Sequence, residues 1–70
     1  MVCGDTVAVR STAPEEMLEK YSAQNWIVVD IIKEIAGYSC EPVISAVPVN
    51  KNFPTTAPVH FFMKDMKVQK

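Results

Sequence analysis

Chemistry in this chain would have to come from Cys3, Cys40 and His60, joined by a carboxylate such as Glu41 or Asp65. Two thiols, an imidazole and a carboxylate are the donor types of a tetrahedral zinc site. Their spacing argues against one. There is no C-x-x-C and no paired histidine, so local geometry presets no two ligands. A cysteine beside the histidine would make a nucleophile and base, but nothing around Cys3 or Cys40 marks either as activated. Both read as reduced, unpaired packing residues, and neither metal nor cofactor is expected. Glu15, Glu16 and Glu19 are not an acid/base pair; they fit the solvated face and the start of a helix. The glycines are Gly4 and Gly37, and neither stands in a phosphate-cradling pattern. A catalytic pocket commonly encloses about 300 Å³ or more, which a chain this short walls off poorly. The expectation is a protein that is not an enzyme.

Binding is the other chemistry on offer, and it falls to the large aromatics. Residues 50–58 read NKNFPTTAP, with Phe53 set among Asn, Lys and Thr. Leaving a Phe in water forgoes about 1.5–3 kcal/mol, which favours Phe53 folding back onto Val49 or Val59. The polar flank Asn50, Lys51, Asn52, Thr55 and Thr56 instead resembles the rim of an aromatic anchor. Two prolines should stiffen the segment toward polyproline II. Trp26 poses the same choice. It either packs against an early helix, near Tyr21, or lies at a binding surface, where Trp is favoured. The candidate partner-binding residues are Trp26, Asp30, Lys33, Lys51 and Phe53.

The elements that would carry these residues can be read from periodicity. Residues 5–10, DTVAVR, alternate as a short strand. STAPEE then reads as a helix start, with Thr12 as N-cap, Glu15 completing a capping box and Pro14 in the first turn. Met17, Leu18 and Tyr21 form its apolar face, Glu16 and Lys20 an i,i+4 pair, and the helix fades by residues 22–25. Residues 26–36, WIVVDIIKEIA, are rich in β-branched side chains, which suits a strand. Yet Asp30, Lys33 and Glu34 fall in one narrow stripe at helical spacing, and Gly37 follows as a left-handed C-cap. On that ground the segment is expected to be a second helix. Residues 42–49 and 58–63 read as strands, with Pro48 requiring an edge or a bulge. KDMKVQK either continues the last strand or frays. The expected fold is one α+β domain over residues 1–70: a two-layer β-α-α-β-β arrangement, its mostly antiparallel sheet covered on one face by two helices.

Composition bounds the rest. The chain has 70 residues, 49% hydrophobic and 21% charged, with net charge −1. A domain this small buries only about 60% of its unfolded surface, so an apolar surplus asks for a partner or a second copy. Seven Lys and Arg against eight Asp and Glu give none of the basic excess that phosphate binding uses. Asp5 and Arg10 interrupt any leader-like apolar run, and no stretch approaches the length of a membrane span. An intracellular, cytoplasmic protein is expected. Three functions follow, in order. The first is a protein-interaction module, such as a regulator or inhibitor of a larger enzyme; small viral and phage accessory proteins that bind a host enzyme share this profile. The second is a winged-helix-like nucleic-acid binder, with residues 26–36 as recognition helix and Lys51 in the wing. The third is a structural homo-oligomer subunit.

Overall fold

A computed structural model describes every residue except Pro54 and Lys70. The chain runs β1 (Thr6–Val9), α1 (Glu15–Tyr21), β2 (Trp26–Ile35), β3 (Tyr38–Pro48), β4 (Val59–Phe62), a 3₁₀ turn (Met63–Asp65) and β5 (Met66–Val68). The strands form one antiparallel sheet in the order β4-β3-β2-β1-β5.

The expected pair of helices is therefore corrected to one. Residues 26–35 are a strand, and α1 is the one α-helix among the described residues. β-branched side chains decided the outcome: Ile27, Val28, Val29, Ile31, Ile32 and Ile35 lose least rotamer freedom on a pleated surface. Two irregularities hid the period. Register shifts fall between Val28 and Asp30 and between Ile32 and Glu34, so strict alternation fails. Beyond Ile32 every residue of β2 is exposed, Lys33, Glu34 and Ile35 alike, so polar residues need not share one side. The recognition helix of the winged-helix reading is absent as a consequence. Gly37 is left-handed as expected, but in a hairpin. Ala36 (φ 53°) and Gly37 (φ 83°) form the two-residue loop between Ile35 and Tyr38, with the two positive φ values of a type I′ turn.

The cap of α1 also differs from expectation. Pro14, not Thr12, is the N-cap, and no side chain caps the helix. The Pro14 carbonyl instead accepts the Met17 and Leu18 N–H groups at 2.9 and 3.1 Å. The apolar face is as read: Met17, Leu18 and Tyr21 pack on the core. Pro48 ends β3, opposite Trp26 and past the last β4 pairing at Ala46–Val59, so its missing N–H breaks no ladder there.

Connectivity forces the sheet to curl. Its outer strands, β4 and β5, are joined by the three residues Met63–Asp65. A flat sheet of five strands would hold its edges about 19 Å apart at about 4.8 Å per strand. A 3₁₀ turn advances only about 2 Å per residue. The edges must approach, and the sheet wraps around Val7, Val9, Val28, Ile44, Ala46, Phe61 and Met66, all buried. Trp26 lies in this core at 2% exposure. Its indole N–H donates to the Tyr21 carbonyl at 3.1 Å. Trp26, Tyr21 and Phe61 meet edge to face with centroids 5.0–5.6 Å apart, contacts worth about 0.5–1.5 kcal/mol each beyond area. That triangle ties α1 to the strands beneath it.

Among the described residues no helix is long and apolar enough to cross a membrane.

Candidate functional site

The long β2–β3 hairpin and the loop that follows it position most of the candidate residues. Trp26 begins β2 inside the core, so its ring is not offered to a partner; it takes the packing alternative, against Tyr21. Asp30 and Lys33 are exposed further along the same strand. Lys51 and Phe53 are exposed in the β3–β4 connection, at the opposite end of the hairpin from its tip. The five residues thus do not converge on one site.

The β3–β4 connection is built from local bonds rather than from an extended run. The Lys51 N–H donates to the Pro48 carbonyl at 2.9 Å. The Asn52 carbonyl accepts both the Thr55 hydroxyl at 2.7 Å and the Thr56 N–H at 2.8 Å. Two successive turns replace the expected polyproline II geometry, because a side-chain hydroxyl and a main-chain N–H both find the same carbonyl. The stiffening assigned to Pro54 lies outside the described residues. Phe53 sits within the second turn and is 53% exposed, so it does not plug the core. Asn50, Lys51, Asn52 and Thr55 around it are exposed as well.

The outer face of β2, β3 and β4 carries two further rows. Register places Asp30 opposite Ser45 and Ser45 opposite His60. The Ser45 Oγ lies 2.8 Å from His60 Nδ1, and Ser45 is buried while His60 is exposed. His60 therefore bonds a serine, not either cysteine. The serine sits between the acid and the imidazole, whereas general-base activation needs the imidazole in the middle. Asp30 also turns its carboxylate to its neighbour, accepting the Ile31 N–H at 2.9 Å. The next row is Ile32, Val43 and Phe62, with Phe62 47% exposed. Lys64 stands 5.6 Å from the Phe62 ring centroid and 3.1 Å from Glu41 Oε1. The hydrogen bond and charge of Glu41 hold the Lys64 ammonium above its ordinary pKa.

Cys3 is exposed, Cys40 half-buried, and both are free thiols. Among the described residues no three His, Cys, Asp or Glu side chains gather where a metal could bind. Among the exposed apolar residues that sequence reasoning missed are Phe62, and Ile35 and Tyr38 at the hairpin tip. Ile35 and Tyr38 are exposed because the hairpin outruns the core, and Phe62 because it alternates with buried Phe61 onto the outer face of β4; no local pattern announces either. Compared with known proteins, the chain matches no family model, no curated protein and no solved structure.

Proposed function

We propose that this protein is a small non-catalytic protein-interaction module that regulates a larger protein, with Phe53 as its anchor. One observation carries the reading: a half-exposed Phe held in a turn closed by two bonds to the Asn52 carbonyl. A preformed turn loses little ordering entropy on binding, so an aromatic presented on it converts buried area into affinity efficiently. Lys51 nearby favours a partner whose apolar pocket has an acidic rim. Truncating such an anchor typically costs about 2 kcal/mol or more.

The test compares lysate pull-downs with wild-type protein and Phe53→Ala, followed by measured affinities for any protein captured. A partner that binds the variant about 30-fold more weakly supports the reading. A partner that binds both equally sinks it.

A further inference from the structure

β2 is longer than the strand beside it. β1 pairs in register only with Trp26 and Ile27. The last bonds on that side run from the Gly4 N–H to the Val28 carbonyl (2.8 Å) and from the Val28 N–H to the Asp5 carbonyl (3.0 Å). The chain turns away at this point. The Asp5 N–H closes a turn onto the Val2 carbonyl at 3.1 Å, and Gly4 takes φ 94° at its third position, the left-handed residue a type II turn requires. Residues 31–35 consequently have β3 on one side and, among the described residues, no strand on the other. An open depression of about 610 Å³ lies here, lined by residues 1–3 of the N-terminal turn and 31–34 of β2.

An unpaired sheet edge specifies its occupant more narrowly than an apolar face does. Its row of N–H and C=O groups, here with one irregularity between Ile32 and Glu34, is matched by another extended backbone about 4.8 Å away. We propose that the free edge of β2 over residues 31–35 accepts an extended segment of a different protein as an added strand. In the free protein the Asp30 carboxylate covers the edge at the Ile31 N–H, and an incoming strand displaces it.

Charge and geometry together exclude a second copy of this chain as the natural occupant. Two identical antiparallel strands pair about a two-fold axis, and directly opposite side chains share a face. Centred on Ile32, the pairing sets Asp30 against Glu34. Centred on Lys33 or Glu34, it sets each of those against its own copy. Like charges directly opposite destabilise a pair. Centred on Ile31, it drives the second copy's Glu34 onto Val28, whose edge is already bonded to Gly4 and Asp5. Centred on Ile35, it sets Lys33 and Glu34 against the second copy's Gly37 and Ala36, where the chain turns back and no strand continues. The fitting strand carries an acidic residue opposite Lys33, basic residues opposite Asp30 and Glu34, and apolar residues opposite Ile31 and the exposed Ile35. This surface is at the far end of the hairpin from Phe53, and the two proposals stand separately.

The experiment titrates the isotope-labelled full chain with two capped eight-residue peptides. One carries that complementary pattern, and the other carries the same residues with charges inverted. Chemical-shift changes and slowed amide exchange within residues 31–35 are expected, with the complementary peptide about fivefold tighter or more. Phe53→Ala should respond identically, so failure of the anchor reading leaves this test intact. Equal affinity for both peptides, protection elsewhere in the chain, or no response at millimolar peptide would overturn the proposal. So would concentration-dependent protection of the same amides without peptide, which would assign the edge to a second copy.

Discussion

Replacing Ala36 by Asn should stabilise the protein, and replacing Gly37 by Ala should destabilise it. Both residues are left-handed, at φ 53° and 83°. An alanine there sets its Cβ against the following carbonyl, at roughly 1–2 kcal/mol. Asn tolerates this region, and Asn-Gly is a preferred pair for a two-residue hairpin loop. Ala36→Asn should recover about 0.5–1 kcal/mol. At Gly37 an added Cβ would meet nothing within 4 Å, so no clash contributes. The cost is conformational alone, about 1–2 kcal/mol, partly offset by about 0.4–1 kcal/mol from a less free unfolded chain. The two variants should differ by about 1–2 kcal/mol. With a urea slope of about 1 kcal/mol per molar for a domain this small, their midpoints should lie about 1–2 M apart, wild type between them. A helix ending at Gly37 gives the opposite sign at Ala36, because Ala is the best helix former and Asn a poor one. Ala36→Asn lowering the midpoint at unchanged slope would refute the hairpin argument.

Other outcomes follow from burial and charge. Phe53→Ala should cost about 1 kcal/mol, since half the ring is already in water, while Phe61→Ala, at 3% exposure, should cost about 3–5 kcal/mol; equal losses in denaturant melts would return Phe53 to the core. Trp26→Phe removes the donor to the Tyr21 carbonyl and part of a packed ring, for about 2 kcal/mol; a variant as stable as wild type would mean that α1 is not tied down through this residue. Glu41→Gln should return the raised Lys64 titration to the ordinary lysine range, read from side-chain NMR against pH. Because the folded value lies above the unfolded one, about 10.4, the pair's contribution is present below that pH and fades as pH rises through the folded value. Both groups are exposed, so the effect on melting should be slight; an unmoved Lys64 midpoint would exclude Glu41 as the cause.

The sequence by itself determined the local elements that have short-range causes. β1 alternates, α1 carries its apolar Met17, Leu18 and Tyr21 on one face, and Gly37 was bound to be left-handed wherever the chain reversed. It also placed Tyr21 beside Trp26, because five residues and a short turn leave a large indole few other neighbours. What it could not fix was the state of residues 26–36. Their β-branched content and their polar spacing pull opposite ways, and only the tertiary context decides. There, β3 supplies a partner along nearly the whole segment, and a bulge at Val29 and a solvent-exposed tip release Asp30, Lys33 and Glu34 from a common face. The same holds for the tail. KDMKVQK alone reads as a continuation of the last strand or a fraying end, yet the three-residue turn Met63–Asp65 carries the chain across the curl to pair Met66, Lys67 and Val68 with β1. Exposure of the hairpin tip and of the β2 edge likewise depends on how far each strand outruns its neighbour, and that of Phe62 on which face of β4 meets the core; both are set by the register between distant segments and written in none of them.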